Sequence, residues 1–268
     1  MGSCSQSDEL INNVAKEDTT VTLAFEGIKF DMQPIGTRAT IAESASRLDV
    51  WVYENGSEVE AVHQTSSDSG FGTVSLTLNN TRTYTLYALA HKATAACTLA
   101  DGIISFPDDK PKESFFYTTT FSPATTTSIN AEMSRICGKF TMSTTDTIPD
   151  NVYHVQFVIK NTALRYDVDG TLSNITDRTV DFPNITRKAD GTCSFSFNIL
   201  STADAATNFE ITATAYAADN SVIETKTFTD VPIRNSYRTT YTGAFFTTSE
   251  FSMTFTCADW QDYDTINF

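Results

Sequence analysis

Apolar residues recur at every second position through most of this chain, the period of a β-strand with one face in a core. Val21, Leu23 and Phe25 alternate with Thr22, Ala24 and Glu26, and Leu48, Val50 and Val52 alternate with Asp49, Trp51 and Tyr53. Val74, Leu76 and Leu78 repeat the pattern, followed by Tyr84, Leu86 and Ala88. Turn residues separate the runs, most clearly at Asn55-Gly56, where both residues tolerate the positive φ of a two-residue hairpin. From Gly138 onward the pattern restarts in KFTMS, NVYHVQFVIKN, TCSFSFNIL, NFEITATAYA, SVIETKTF, SYRTTYTGAFF and EFSMTFTC. No segment of this half has a helical period, and strands at this density predict an antiparallel β-sandwich in each half. The expected division is a flexible leader over 1–18, a first domain over 19–137 and a second over 138–268. Residues 92–114 are less regular: HKATAACTLADG is compatible with one short helix, and PDDKPKE with an exposed loop.

With 268 residues there is material for two cores. A hydrophobic content of 40% with 12% aromatic excludes a disordered chain, and abundant Thr suits strands because it is β-branched. The formal charge of −15 argues against gripping nucleic acid or an anionic membrane, which needs Lys and Arg gathered on one face. No apolar run is long enough to span a bilayer as a helix.

The run over Val21–Phe25 leads into Gly27, Pro34 and Gly36, which break regular structure and deliver Arg38 between Thr37 and Ala39. Small neighbours make Arg38 a shape that a trypsin-like protease can hold. A cut there would release the first strand and leave an apolar groove with unpaired backbone groups, which only another strand could satisfy.

Cys4 stands in a polar opening segment, where Met1–Ser3 is either an expression remnant or the end of a removed signal peptide. In the second case Cys4 is the expected acylated residue of an exported lipoprotein, with Ser5–Glu9 as its tether. Cys193 and Cys257 share faces with phenylalanines and are expected to be buried as small hydrophobes, with a disulfide between them as the alternative. Cys97 and Cys137 lie in settings that give no pairing.

His63, His91 and His154 are far apart and lack a second ligand at helical or strand spacing, so no metal site is expected. No Gly-x-Ser-x-Gly elbow is present, and neither catalysis nor a cofactor is expected. Asp167, Asp169 and Gly170 begin like a calcium loop, but the glycine falls at the wrong position, which favours a plain turn. Asp259, Asp262 and Asp264 read as a solvated acidic edge. Trp51 and Tyr53 point away from the inferred core and are expected to cover a neighbouring strand or the domain junction, with stacking on a sugar ring as the alternative.

The segment VPIRNSYRTTYTGAFFTTSEFSMTFTCADW, taken with TRAT at 37–40, EMSRICGKF at 132–140 and the tail containing Trp260, resembles the fimbrillin-like family of Bacteroidales type V pili. The likeness runs in order along nearly the whole chain. It implies two consecutive transthyretin-like sandwiches and an outer-membrane lipoprotein precursor, with Asp8 and Glu9 similar to a surface-export signal. It further implies cleavage between Arg38 and Ala39 by an arginine-specific protease and loss of the strand bearing Val21, Leu23 and Phe25. A donor strand from another subunit, around Phe251, Met253, Phe255 and Trp260 in this numbering, would then fill the groove. The leading expectation is a polymerising stalk subunit of surface fimbriae that serves adhesion, with other fimbrial subunits, the protease and a surface receptor as partners. A non-polymerising anchor or tip protein, or a surface glycan-binding lipoprotein, is the alternative. In such a family, anchors keep their leader strand and tips lack a donor.

Overall fold

A computed structural model describes residues 18–29, 40–202, 205–247, 251–257 and 265–266, with backbone alone for 26–29, 251–257 and 265–266. In chain order the first half carries β1 (Asp18–Lys29), a one-turn helix α1 (Ile41–Ser44), β2 (Arg47–Glu54), β3 (Ser57–Thr65), β4 (Thr73–Asn79) and β5 (Tyr84–His91). It continues with β6 (Thr98–Ala100), β7 (Ile103–Ser105), β8 (Ser114–Phe121) and β9 (Ser128–Arg135). The second half carries β10 (Cys137–Thr144), β11 (His154–Asp167), β12 (Leu172–Phe182), β13 (Ser194–Leu200), β14 (Thr207–Tyr216), β15 (Val222–Ile233), β16 (Tyr237–Gly243), β17 (Phe251–Cys257) and β18 (Thr265–Ile266). The chain is all-β, as its alternation predicts.

Strands in the first half follow the order β3-β2-β5-β8-β9-β1-β4. Ladder pairing between β8 and β9 is confined to Phe115↔Arg135 and Phe116↔Ser134, with the Ile136 amide donating to the Ser114 carbonyl just beyond, so the two strands diverge along most of their length. Side chains from both parts close over one core that contains Val21, Leu23, Leu48, Val50, Leu76, Leu86, Phe115 and Met133. This is the geometry of a sandwich whose inner faces supply alternate residues.

The second half divides its strands between the orders β13-β10-β16-β17-β18 and β15-β14-β11-β7-β6, with β12 on the other edge of β11. Its core centres on Phe140, Phe157, Phe195, Phe197 and Phe228. Several of these rings meet at the tilted and edge-to-face angles that aromatic quadrupoles favour, such as Phe140 and Phe157 at 6.0 Å and 64°. Cys193 is buried in this core as expected, and its thiol donates to the Thr186 carbonyl at 3.1 Å.

A third core joins the two. Trp51 and Leu89 from the outer faces of β2 and β5 pack with Leu99, Ile104, Phe116, Ile136, Tyr166 and Leu200. The segment HKATAACTLADG is therefore not helical. Residues 98–105 form a hairpin around Asp101-Gly102, with φ of 51° and 75°. Pairing of β7 with Arg165–Asp167 of β11 gives its backbone partners that an isolated turn of helix would lack. Leu99 and Ile104 from this hairpin are buried, which places a piece of the first half of the chain in the sheet of the second.

Truncation of Leu23 tests the weight of β1 in this fold. Leu23 is fully buried, so Leu23→Ala should cost about 2–5 kcal/mol, read as a lower urea midpoint at unchanged slope.

Candidate functional site

The segment expected to be exchangeable is a full strand seated inside its sheet. β1 pairs antiparallel with β4 from Asp18↔Asn79 to Ala24↔Thr73, and parallel with β9 over Thr22–Ala24 and again over Gly27–Lys29. Val21 and Leu23 are 0% exposed and Phe25 3%. Where the β9 register shifts, the Phe25 amide donates to the Gly72 carbonyl at 2.9 Å. Gly72 adopts φ +90°, and a Cβ there would lie 2.7 Å from Ile41, so glycine alone allows this approach.

Arg38 and Ala39, the expected cleavage pair, lie outside the described residues, as do Cys4 and Trp260. The chain resumes at Thr40, whose amide and hydroxyl both donate to the Glu43 carboxylate, at 2.9 and 3.1 Å, as a capping box at the start of α1. These hydrogen bonds hold the Glu43 carboxyl below its ordinary range. Ile41 follows at once into the core. The residues after the expected cut are thus held by their own cap and by burial of Ile41 in the core that β1 also lines.

At the other end of the chain, β17 runs antiparallel to β16 from Tyr237↔Cys257 to Gly243↔Phe251 and is covered on its far edge by β18 at Met253↔Ile266 and Thr254↔Thr265. Phe251, Met253 and Phe255, the candidate donor residues, all lie on β17. The backbone expected to serve a neighbour is accommodated in its own sheet.

The histidines behave differently from what their spacing suggests. Asp49, fully buried on β2, accepts from His63 Nδ1 through Oδ1 and from His91 Nε2 through Oδ2, each at 2.8 Å. Its Oδ2 also accepts the Cys97 amide at 2.7 Å, and the Ala93 amide donates to His91 Nδ1 at 3.1 Å. An ionised carboxylate only accepts, so both ring nitrogens donate, and His91 carries its proton on Nε2. Burial acts to raise the Asp49 pKa, but the hydrogen bonds from His91, Cys97 and His63 together hold it below the ordinary value. Asp49, His91 and Cys97 form a group with the spacing of metal ligands. The Asp49 carboxylate and the His91 ring nitrogens are already engaged by protein hydrogen bonds, however, and burial together with the Asp49 charge pushes the Cys97 thiol far up. The cluster works as a buried clamp joining β2, β3, β5 and the approach to β6. No local motif announces it, because the partners of Asp49 stand in separate strands.

His154 stacks on Tyr216 at 4.7 Å and has no part in the clamp. Asp167 and Asp169 serve their own turn, accepting from Thr171 and Ser173 at 2.6–3.1 Å. Cys97, Cys137 and Cys193 are free thiols, and burial raises the Cys137 pKa to about 11. Trp51, at 2% exposure, lies in the junction core, so the junction reading holds for it and it presents no face to a sugar. Tyr53 is half-buried and lines a surface cleft with Tyr87.

Residues 16–263 match the family model of fimbrillin-A associated anchor proteins Mfa1 and Mfa2. The chain belongs to this family. Membership places it among fimbria-associated adhesion proteins of the cell surface. Its fold is shared with the fimbrial anchor protein Mfa2 from Porphyromonas gingivalis, at TM-score 0.52 and 12% identity over 93% of this chain and 100% of that one. A candidate polysaccharide-binding protein from Bacteroides thetaiotaomicron superimposes at TM-score 0.59 and 10% identity, covering 93% of this chain and 98% of that one. A candidate adhesin from the same organism does so at 0.58 and 11%, with coverage of 93% and 98%. At these identities the likeness is one of fold. No curated protein sequence matches the chain.

Asp49 has a lowered folded pKa, so its contribution to stability is present above the unfolded carboxylate value near 3.8 and is lost as pH falls through the lowered one. Asp49→Asn puts an amide donor against groups that already donate. It should cost about 1.5–3 kcal/mol near neutral pH, and the acid limb of a melting-temperature profile should be shallower than in the parent.

Proposed function

We propose that this protein is held at the outer membrane through lipid on Cys4 and joins fimbrial subunits by strand addition. The observation that supports this most is the seat of β1. Its apolar residues are fully sheltered, its backbone is used on both edges, and the chain leaves it toward Arg38 and resumes at an independently capped Thr40. A slot of this kind closes equally well around its own strand or around one from a neighbour, with main-chain hydrogen bonds supplying affinity and alternate side chains supplying register. The apolar residues of β1, at about 1.5–3 kcal/mol each, make either occupant slow to leave.

Two modes of use follow. In the polymerising mode, an arginine-specific protease cuts after Arg38, β1 departs, and the β17 segment of another subunit enters. In the anchoring mode, the uncut chain keeps β1 and ends the fibre at the membrane, and membership in a family of fimbrial anchor proteins favours this mode. Neither mode requires catalysis by this chain.

Limited digestion of the full chain with an arginine-specific protease, followed by unboiled gel electrophoresis and N-terminal mass analysis, separates the modes. An N-terminus at Ala39 with a ladder of stable oligomers supports polymerisation. An intact β1 on protein recovered from native membranes, with lipid on Cys4, supports anchoring. Monomer that neither pairs with fimbrial subunits nor carries lipid would overturn both.

A further inference from the structure

The cleft beside Tyr53 is a constructed concavity at the rim of the junction. Two hairpin turns face each other across it. Asn55-Gly56 joins β2 to β3, and Asp101-Gly102 joins β6 to β7, with φ values of 50° and 81° in the first and 51° and 75° in the second. Both are two-residue turns of the twist that hairpins prefer, so the walls are rigid. Tyr53 and Tyr87 form the floor, their rings edge to face at 5.6 Å and 75°. Glu58 and Asp101 stand at the sides, both exposed. The enclosed volume is about 570 Å³, within the usual range for a small-molecule site.

We propose that this cleft binds an uncharged saccharide. A pyranose ring has a face of C–H groups and an edge of hydroxyls. The face suits a tyrosine ring, and the edge hydroxyls donate to carboxylates, which accept only. Among the described residues no Lys or Arg lines the cleft, so phosphorylated, sulfated and sialylated ligands would meet Glu58 and Asp101 there. A lone Lys or Arg side chain would leave most of the volume unfilled.

The floor is also connected to the rest of the molecule. Tyr87 stacks with Phe116 at 6.4 Å and 17°, and Phe116 meets Tyr166 of β11 at 5.2 Å. A sugar seated on these tyrosines therefore rests on the core that joins the two sandwiches. The site is independent of strand addition, since β1 and β17 take no part in it.

The test uses the full chain on an array of neutral gluco-, manno-, galacto- and xylo-oligosaccharides, with sialylated and sulfated glycans and a Lys/Arg-rich peptide alongside, and titration calorimetry on whatever is retained. A neutral oligosaccharide should bind, and Tyr87→Ala and Glu58→Gln should each raise its Kd about tenfold or more, equivalent to ~1.4 kcal/mol. Glu58 is exposed, so Glu58→Gln should melt like the parent and guards against misfolding of the tyrosine variant. Val222→Ser, an exposed change on β15 of the second sandwich, should bind like the parent. Retention of no neutral glycan, preference for the anionic glycans or the peptide, or undiminished binding by Glu58→Gln together with Tyr87→Ala would overturn the assignment. None of these outcomes bears on the lipid at Cys4 or on the fate of β1.

Discussion

Among the described residues, strand β4 has a hydrogen-bonded neighbour on one side only, and that neighbour is β1. On its other side β1 supplies most of the pairing of β9, whose ladder with β8 is two residue pairs long. Removing β1 would therefore do more than open a groove. It would leave both neighbours with unpaired N–H and C=O groups beside a core that has lost Val21, Leu23 and Phe25, and unpaired backbone in such a place is costly. The first sandwich is complete only while some strand occupies that position. The same dependence underlies the proposed capture of another chain by a vacated form, and it makes the form that keeps β1 stable.

The two cores are linked by burial of surfaces that would ordinarily face water. β2 shows Leu48, Val50 and Val52 to the sandwich core and Asp49 and Trp51 to the junction, and all of these are buried. A buried carboxylate on the junction side is tolerable because three donors meet it, and those donors come from β3, β5 and Cys97. Further along, Arg135 pairs with Glu113 at 3.0 Å and lies over the Phe115 ring at 4.9 Å, just where β9 gives way to β10. Arg178 donates from β12 to the Asn198 and Pro111 carbonyls, tying the first half of the chain to the second. Burial lowers its pKa to about 10, which still leaves it a cation near neutral pH.

Much of the strand layout was legible because alternation is a local property. Val74, Leu76 and Leu78 point inward on β4 as their spacing predicts, and the Asn55-Gly56 turn lies between β2 and β3. Alternation does not report what covers the second face, so it left Trp51 open between the domain junction and a sugar, and it gave no sign that Asp49 beside it is buried. The hairpin at 98–105 carried its own signal in Asp101-Gly102, a favoured hairpin pair, but strands of three residues are too short for a period to outweigh the helix-forming alanines before them. The Asp49 clamp had no local signal at all. His63 and His91 lie 14 and 42 residues away from it, and only the pairing of β2 with both β3 and β5 brings them together.

The positions of β1 and β17 distinguish the demands on the chain's two ends. β1 lies inside its sheet with a partner on each edge, so leaving requires breaking both ladders and exposing a core. β17 lies one strand from the end of its sheet, and its outer edge is held by β18 across two residue pairs. Freeing β1 means dismantling half a sandwich. On the proposed reading, capture of a strand in the β1 slot therefore waits on a cut that removes the occupant. On the same reading, a chain that escapes the cut keeps both ladders of β1 closed, so its first sandwich offers no slot to a neighbour and can only end a fibre.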